Sequence, residues 1–269
     1  MVSFIPKYVT KADGTKELFD KQKIIKSCLN VDLDEKSSSE IADYIDRALP
    51  EGSSTHKIFE MITQELEKRK VGNAPLFALR EAIADVDSKS FELYTQKILE
   101  ADGYSCKWNQ LIHGASVEHQ VDVLAEKNGE IFIVECKRHF NPHRFCGLDV
   151  ALQVQARLED LKDGYVAKRN KINVTGAWIF TNAKFSEHSK NYCNAKKIRM
   201  TGWKSGDFGL DYLINKTKTF PVTVLKIDLM TKASLIQAGM LTLQDIITQR
   251  RSNITNFPDI IQQAKALVK

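Results

Sequence analysis

The sequence has no long hydrophobic run. No stretch approaches the roughly 18 uninterrupted apolar residues of a membrane-spanning helix, and the opening MVSFIP has no basic start leading into an apolar segment. No membrane partner and a cytoplasmic location are therefore expected. The Gly-x-x-x-x-Gly-Lys-Ser/Thr loop that cradles phosphates in ATPases is absent, so any ATP that binds is expected to act as a signal and not as fuel. Paired zinc motifs are missing too: His139, His143 and Cys146 have short ligand-like spacings, but no CxxC or HxxxH pair completes four ligands. Phosphate contact or loop packing is the simpler reading of those three. The five cysteines (Cys28, Cys106, Cys136, Cys146, Cys193) are odd in number and scattered, which excludes a full disulfide framework and points to reduced thiols.

What is present is an ordinary globular composition, 43% hydrophobic and 27% charged over 269 residues, with room for two or three domains. The formal net charge of +5 is unevenly spread. Residues 1–136 hold 17 Lys and Arg against 24 Asp and Glu, whereas residues 137–269 hold 22 against 10. A basic half of that size suits a polyanion such as DNA, although Lys-rich surfaces also keep proteins soluble.

The sign of the charge switches beside the most informative stretch, HQVDVLAEKNGEIFIVECKR at 119–138. It reads as two strands joined by Asn128 and Gly129, the dipeptide suited to the positive φ angles of a tight hairpin. Alternation places Asp122, Leu124 and Glu126 on one face of the first strand, and Ile131, Ile133, Glu135 and Lys137 on one face of the second. Acid and lysine at alternate positions are also what a solvated edge presents. Here they follow a continuous apolar run, residues 131–134, of the kind found in a strand buried on both faces. Two acids to hold Mg²⁺ and a lysine to steady developing negative charge are what a metal-dependent phosphodiesterase requires. His119 either lies near that site or is a satisfied core histidine, and Cys136, on the opposite face from Glu135, reads as core.

From the N terminus, a hairpin turning at Asp13 and Gly14 is followed by four expected helices, near 21–29, 37–48, 55–66 and 74–86, with a linker at 85–90. VTKADGTKELFDKQKI at 9–24, THKIFEMI at 55–62 and ALREAI at 78–83 resemble the ATP-cone, the regulatory nucleotide-binding module of ribonucleotide reductases. The resemblance implies an ATP or dATP site at Val9, Lys11, Glu17, Lys23 and Ile24, completed by Thr55 and Arg80. Ala12 stands in that set where the family usually has a basic residue. Lys11 and Lys23 suit phosphate oxygens, Thr55 supplies a helix start, and Ile24 can pack against adenine.

The central segment has the order α-β-β-β-α-β, a mixed α/β domain. Its FELYTQKILEADGY at 91–104, VDVLAE at 121–126, FIVECK at 132–137 and WIFTNAKFS at 178–186 resemble the Mrr-like branch of the restriction-endonuclease superfamily, with the signature PD-(D/E)XK. The resemblance implies Mg²⁺ or Mn²⁺ held by Asp122, Glu135 and the Cys136 carbonyl, Lys137 as catalytic lysine, Glu92 assisting, and Gln153 or Gln155 at a polar position on the following helix. Val121 replaces the proline of the signature, and Gln120 stands where the nearest relatives carry a glutamate.

The C-terminal segment reads as an extended piece at 221–225, two short helices around 238–240 with Thr242 and Asp245 as a capping box, and a terminal helix at 256–269 after Arg250 and Arg251. The helical pair is either a DNA-contacting helix-hairpin-helix or a packing module. The expectation is thus a multidomain α/β chain: a β-hairpin plus four-helix cone at 1–88, a mixed-sheet nuclease domain at 89–205 and a small helical region at 206–269. The resemblances imply a Mg²⁺-dependent DNA endonuclease, homo-oligomeric and regulated by adenine nucleotide, with defence against foreign DNA as one role. A structure-specific repair or recombination nuclease, and a nucleotide-responsive DNA-binding regulator with a vestigial site, are the other readings.

Overall fold

The structure, a computed structural model of the chain, describes residues 6–11, 14–205, 208–249 and 253–268. It is a multidomain α/β protein with twelve α-helices among those residues. The chain divides into two compact units, Met1–Leu79 and Arg80–Val268.

In the first unit a short hairpin, β1 (Tyr8–Thr10) and β2 (Lys16–Leu18), pairs Val9 with Glu17. Ala12 and Asp13, one candidate site residue and one residue of the expected turn, lie outside the described residues. Three helices follow, each started by a side chain that satisfies a free amide of its first turn. Asp20 caps α1 (Lys21–Leu29), Asp34 caps α2 (Glu35–Ala48) and Ser54 caps α3 (Thr55–Lys68). Ile24, Cys28, Ile41, Ile45, Ile62 and Leu66 fill the core at helical spacing. The fourth expected helix is broken: α4 (Ala74–Phe77) stops at Ala78, and α5 (Leu79–Ala84) starts afresh. Pro75 sits in the first turn of α4, and the Ala78 amide closes back on the Pro75 carbonyl in a tightened three-residue turn, so the ladder does not run through.

The second unit is built on a five-stranded sheet in the order β3-β4-β5-β7-β9. Its first helix, α6 (Ser88–Ala101), is capped by Asp87 and buries Phe91, Tyr94, Ile98 and Leu99. β3 (Ser105–His113), β4 (Glu118–Lys127) and β5 (Glu130–Lys137) form an antiparallel meander. β3 keeps a period-two pattern of exposed and half-buried residues through Leu111. A short β6 (Phe145–Cys146) leads into α7 (Leu148–Val166), which crosses back so that β7 (Gly176–Thr181) lies parallel to β5. β8 (Lys184–Phe185) pairs with β6, and α8 (Glu187–Lys196) brings β9 (Arg199–Thr201) in parallel beside β7. Val150, Val154, Leu158 and Leu161 of α7 pack on Leu124, Ile133 and Ile179 to form the main core.

The C-terminal segment belongs to this second unit. α9 (Leu210–Thr217) is followed by a 3₁₀ turn at Val222–Val224, where extended chain was expected. The bridge between Pro221 and Thr242 allows only one residue of pairing before the chain coils. α10 (Leu229–Gln237) and α11 (Leu243–Thr248) form the expected helical pair, with the Thr242–Asp245 capping box in place, and α12 (Phe257–Val268) ends the chain. Arg250 and Arg251 lie outside the described residues. The Tyr94 hydroxyl donates to the Thr219 carbonyl at 2.7 Å, and Lys97 pairs with Asp245 at 2.8 Å, tying this segment to α6.

Candidate active site

β4 and β5 turn through Asn128 (φ 54°) and Gly129 (φ 79°), both in the left-handed region that a two-residue hairpin loop demands. The register pairs Leu124 with Ile133 and Val123 with Val134. One step further sets Asp122 opposite Glu135, and opposite residues of an antiparallel pair share a face. Asp122 Oδ2 accepts the Cys136 amide at 2.7 Å. Burial first, then the Glu135 and Glu92 charges, push the Asp122 carboxyl up to about 7, against the lowering effect of that amide. Burial likewise lifts the Cys136 thiol well above its ordinary range, as suits a core cysteine.

Glu135 is partnered by the Arg157 guanidinium, which reaches it from α7. Arg157 was not among the expected residues. The signal for it was its position one helical turn after Gln153, on the helix that covers the strand of Glu135. Gln153 is exposed on that side. Gln155 instead donates to Glu159 at 2.7 Å, and its Oε1 is buried without a partner among the described residues. Glu92 of α6 accepts the Trp108 indole N–H at 2.9 Å, and Lys89 lies 5.4 Å from the centre of the Trp108 ring.

Lys137 ends β5 exposed, and the chain beyond it is fixed. Thr181 donates its hydroxyl to the Lys137 carbonyl at 2.6 Å, and buried Asn182 spans His139, accepting its amide at 2.7 Å and donating to its carbonyl at 2.9 Å. Thr181 and Asn182 were quoted in the WIFTNAKFS pattern without a role.

The histidines take other partners. His119 contacts Asp160 at 2.8 Å, so of its two readings the structure selects the satisfied one. Asp160 also accepts the Ser116 amide at 2.8 Å. Burial pushes this carboxyl up, but the hydrogen bonds from His119 and Ser116 outweigh it and hold Asp160 below the usual range. His143 contacts Arg80 at 3.1 Å and Glu81 at 3.5 Å, and Cys146 is enclosed in the core. Among the described residues, no three His, Cys, Asp or Glu side chains are grouped to hold a metal. The donor set at the hairpin is therefore two carboxylates plus backbone carbonyl. That chemistry fits a hard divalent cation such as Mg²⁺, which takes one or two carboxylates and fills its remaining positions with water and substrate phosphate. The negative charge of Glu135 and Glu92, which adds to burial in lifting Asp122, is charge such an ion would neutralise.

In the first unit, Val9, Glu17, Lys23, Ile24 and Thr55 line one pocket of about 200 Å³. Lys11 joins them through Glu17, which pairs with it at 2.8 Å and with Lys23 at 3.1 Å. The hydrogen bond from Lys11 opposes the effect of burial and holds the Glu17 carboxyl low. Phe59 and Phe77, stacked at 5.1 Å between ring centres, line it as well and were not anticipated. Arg80 is not among the lining residues; it lies in the second unit, where its guanidinium donates to the Pro142 carbonyl.

Residues 83–204 match the restriction endonuclease family model Mrr_cat. An uncharacterized protein of Archaeoglobus fulgidus is 35% identical over 173 residues, 64% of this chain and 94% of its own length. Residues 83–204 are an Mrr-type restriction endonuclease domain, and the chain is a homologue of the Archaeoglobus protein. A crystal structure of a protein of unknown function is also similar to this chain, with a TM-score of 0.57 at 30% identity over 68% of this chain and 98% of that one. The matched residues 83–204 include Glu92, Asp122, Glu135, Lys137, Gln153 and Arg157. No helix among the described residues is long and apolar enough to cross a membrane.

Proposed function

We propose that the protein is a Mg²⁺- or Mn²⁺-dependent DNA endonuclease whose activity answers to ATP or dATP bound by its N-terminal unit. The observation that carries the nuclease reading is Asp122 set opposite Glu135 on a buried hairpin, with Asp122 lifted to about 7. Asp122, Glu135 and the Cys136 carbonyl would hold the cation, which when bound would polarise the phosphate and lower the pKa of a nearby water. Lys137, free of ion pairs among the described residues, faces the attacking water and the charge that develops on phosphorus. Arg157, paired with Glu135, would be in reach of a phosphate oxygen of the substrate, and Gln153 would orient the substrate from one turn away. Glu92, held by Trp108, keeps negative charge next to Asp122 and so favours a bound cation. Attack on phosphorus expels the 3′-oxygen, so the products carry 5′-phosphate and 3′-hydroxyl ends.

The nucleotide reading rests on the resemblance to the ATP-cone and on the gathering of Val9, Glu17, Lys23, Ile24 and Thr55 at one pocket. At about 200 Å³ it is smaller than the 300–1,000 Å³ common for ligand sites, large enough for a purine base but not a whole nucleotide. The base enters between Ile24 and Phe59, and the phosphates lie outside on Lys11 and Lys23. Binding there changes the homo-oligomeric state. The five free cysteines support a reducing, cytoplasmic setting. Defence against foreign DNA is the role that the family name favours.

End-group analysis of cleaved plasmid tests the chemistry. Products that take 5′-³²P only after phosphatase treatment support the reading, and 3′-phosphate ends sink it. Size-exclusion chromatography with and without dATP tests the regulation; an unchanged elution volume together with no measurable binding removes that part.

A further inference from the structure

At the β9 edge of the sheet lies a second concavity of about 770 Å³, which neither the hairpin site nor the first unit uses. Among the described residues its lining carries four cations, Lys184, Lys190, Arg199 and Lys204, and no Asp or Glu, although Glu130 beside the pocket pairs with Arg199 at 3.1 Å. Aromatic rings are interleaved with them. Arg199 is stacked 3.9 Å from the centre of the Phe132 ring, which fixes its guanidinium in place, and it donates to the Tyr104 hydroxyl at 3.2 Å. Trp203 has Arg80 at 5.7 Å from its ring centre, and Phe208 is 64% exposed. The one ion pair of Lys190, with Glu187, is exposed and therefore easily exchanged for another anion.

A concavity that gathers several cations suits a phosphate backbone, and rings in its wall suit the flat faces of bases. A paired duplex offers its phosphates but keeps its bases stacked and out of reach of such a pocket. Only unpaired or extruded nucleotides bring both parts together. The register places this pocket close to the candidate centre: Glu135 pairs with Ile179, and Ile179 with Met200, a wall of the pocket. Two strand spacings separate the β5 and β9 backbones, about 10 Å.

We propose that the pocket binds single-stranded DNA flanking the phosphate to be cut, with phosphates on Lys184, Lys190 and Lys204 and a base stacked on Trp203. This rests on the nuclease reading for its purpose but not for its test. The substrate class is then DNA with unpaired character, such as a flap, an overhang or an opened junction.

The test is binding of the full-length protein in EDTA, where no cleavage occurs, to a fluorescein-labelled dT₈ and to an eight-base-pair duplex, read by fluorescence anisotropy. Tighter binding of dT₈ is expected, with K190E/K204E weakening it at least tenfold and reducing its salt dependence. Both lysines are at the surface, so the variant should melt at the wild-type temperature. Trp203→Ala should lose the preference for dT₈ and Trp203→Phe should keep it. Equal affinity for the two DNAs, or an unchanged dT₈ affinity in K190E/K204E, overturns the proposal. If the dT₈ preference holds while plasmid and flap DNA remain uncut in Mg²⁺, the nuclease reading fails and the binding site stands.

Discussion

The guanidinium of Arg157 on α7 lies against the carboxylate of Glu135 on β5. It stands where a metal-loaded site would place positive charge, next to the two adjoining carboxylates of the hairpin. Removing one partner of a buried ion pair costs about 3–5 kcal/mol; this pair is partly solvated, so about 1–3 kcal/mol is expected. Arg157→Met should therefore lower the melting temperature in EDTA, and Mg²⁺ should restore more stability to the variant than it adds to wild type. Thermal denaturation with and without Mg²⁺ checks this, and an unchanged melting temperature in EDTA counts against a counter-cation role.

Asp122 sets a pH dependence of opposite sense to an ordinary salt-bridged carboxylate. Its carboxyl is lifted to about 7 in the folded chain, chiefly by burial, from an ordinary value near 4. The folded state thus prefers the neutral form. Its contribution is fully present below about pH 4 and is lost as pH rises through about 7, a change of at most about 4 kcal/mol and less once solvent screening is counted. Urea unfolding of the metal-free protein should show stability falling between about pH 4 and 7, and Asp122→Asn should flatten the slope. Calorimetry should show Mg²⁺ affinity rising over the same interval as the proton is expelled. A slope unchanged in Asp122→Asn would assign the effect to other groups.

The Tyr94 hydroxyl is wholly buried and donates to the Thr219 carbonyl, joining α6 to the segment after α9. Tyr94→Phe keeps the ring and leaves that carbonyl without its donor, at a cost of about 1–3 kcal/mol. Hydrogen exchange should show the amides around 219–225 opening faster, with the hairpin protected as before. Equal protection of both regions in the variant would mean that this hydrogen bond does not secure the segment.

For the first unit, Lys23→Ala removes one charge-assisted contact to phosphate, about 1.5–3 kcal/mol, equivalent to roughly 10–100-fold in affinity. Titration with a fluorescent ATP analogue reads the loss directly. Wild-type and variant proteins that bind the analogue equally would remove Lys23 from the site.

The parts of this architecture legible in the sequence were those written locally. Asn128 and Gly129 announce their turn because few residues adopt positive φ, and Thr55 announces the start of the helix that Ser54 caps. The caps Asp34 and Asp87 were not read, so the second helix starts two residues before its expected start and the expected linker is partly helix. Asp122 and Glu135 were legible because charge after a buried strand is costly. Arg157 was not, because its partner lies 22 residues away and only the crossing of α7 over β5 brings them together. Asn182 was hidden for the same reason, since its value is in the loop after Lys137 that it holds. The break at Ala78 depends on a hydrogen bond back to Pro75, and the expected third domain at 206–269 joined the second unit through non-local contacts such as Tyr94 with Thr219.

The central claim is that the paired carboxylates of the hairpin make the protein a metal-dependent nuclease. Incubation of supercoiled plasmid and flap DNA with Mg²⁺ or Mn²⁺, comparing wild type with Glu135→Ala, tests it most directly. The prediction is nicking or linearisation by wild type that EDTA abolishes and a loss of at least about a hundredfold in Glu135→Ala, of the order expected when a catalytic electrostatic group is removed. DNA binding without cleavage by wild type, or equal cleavage by the two proteins, would contradict it.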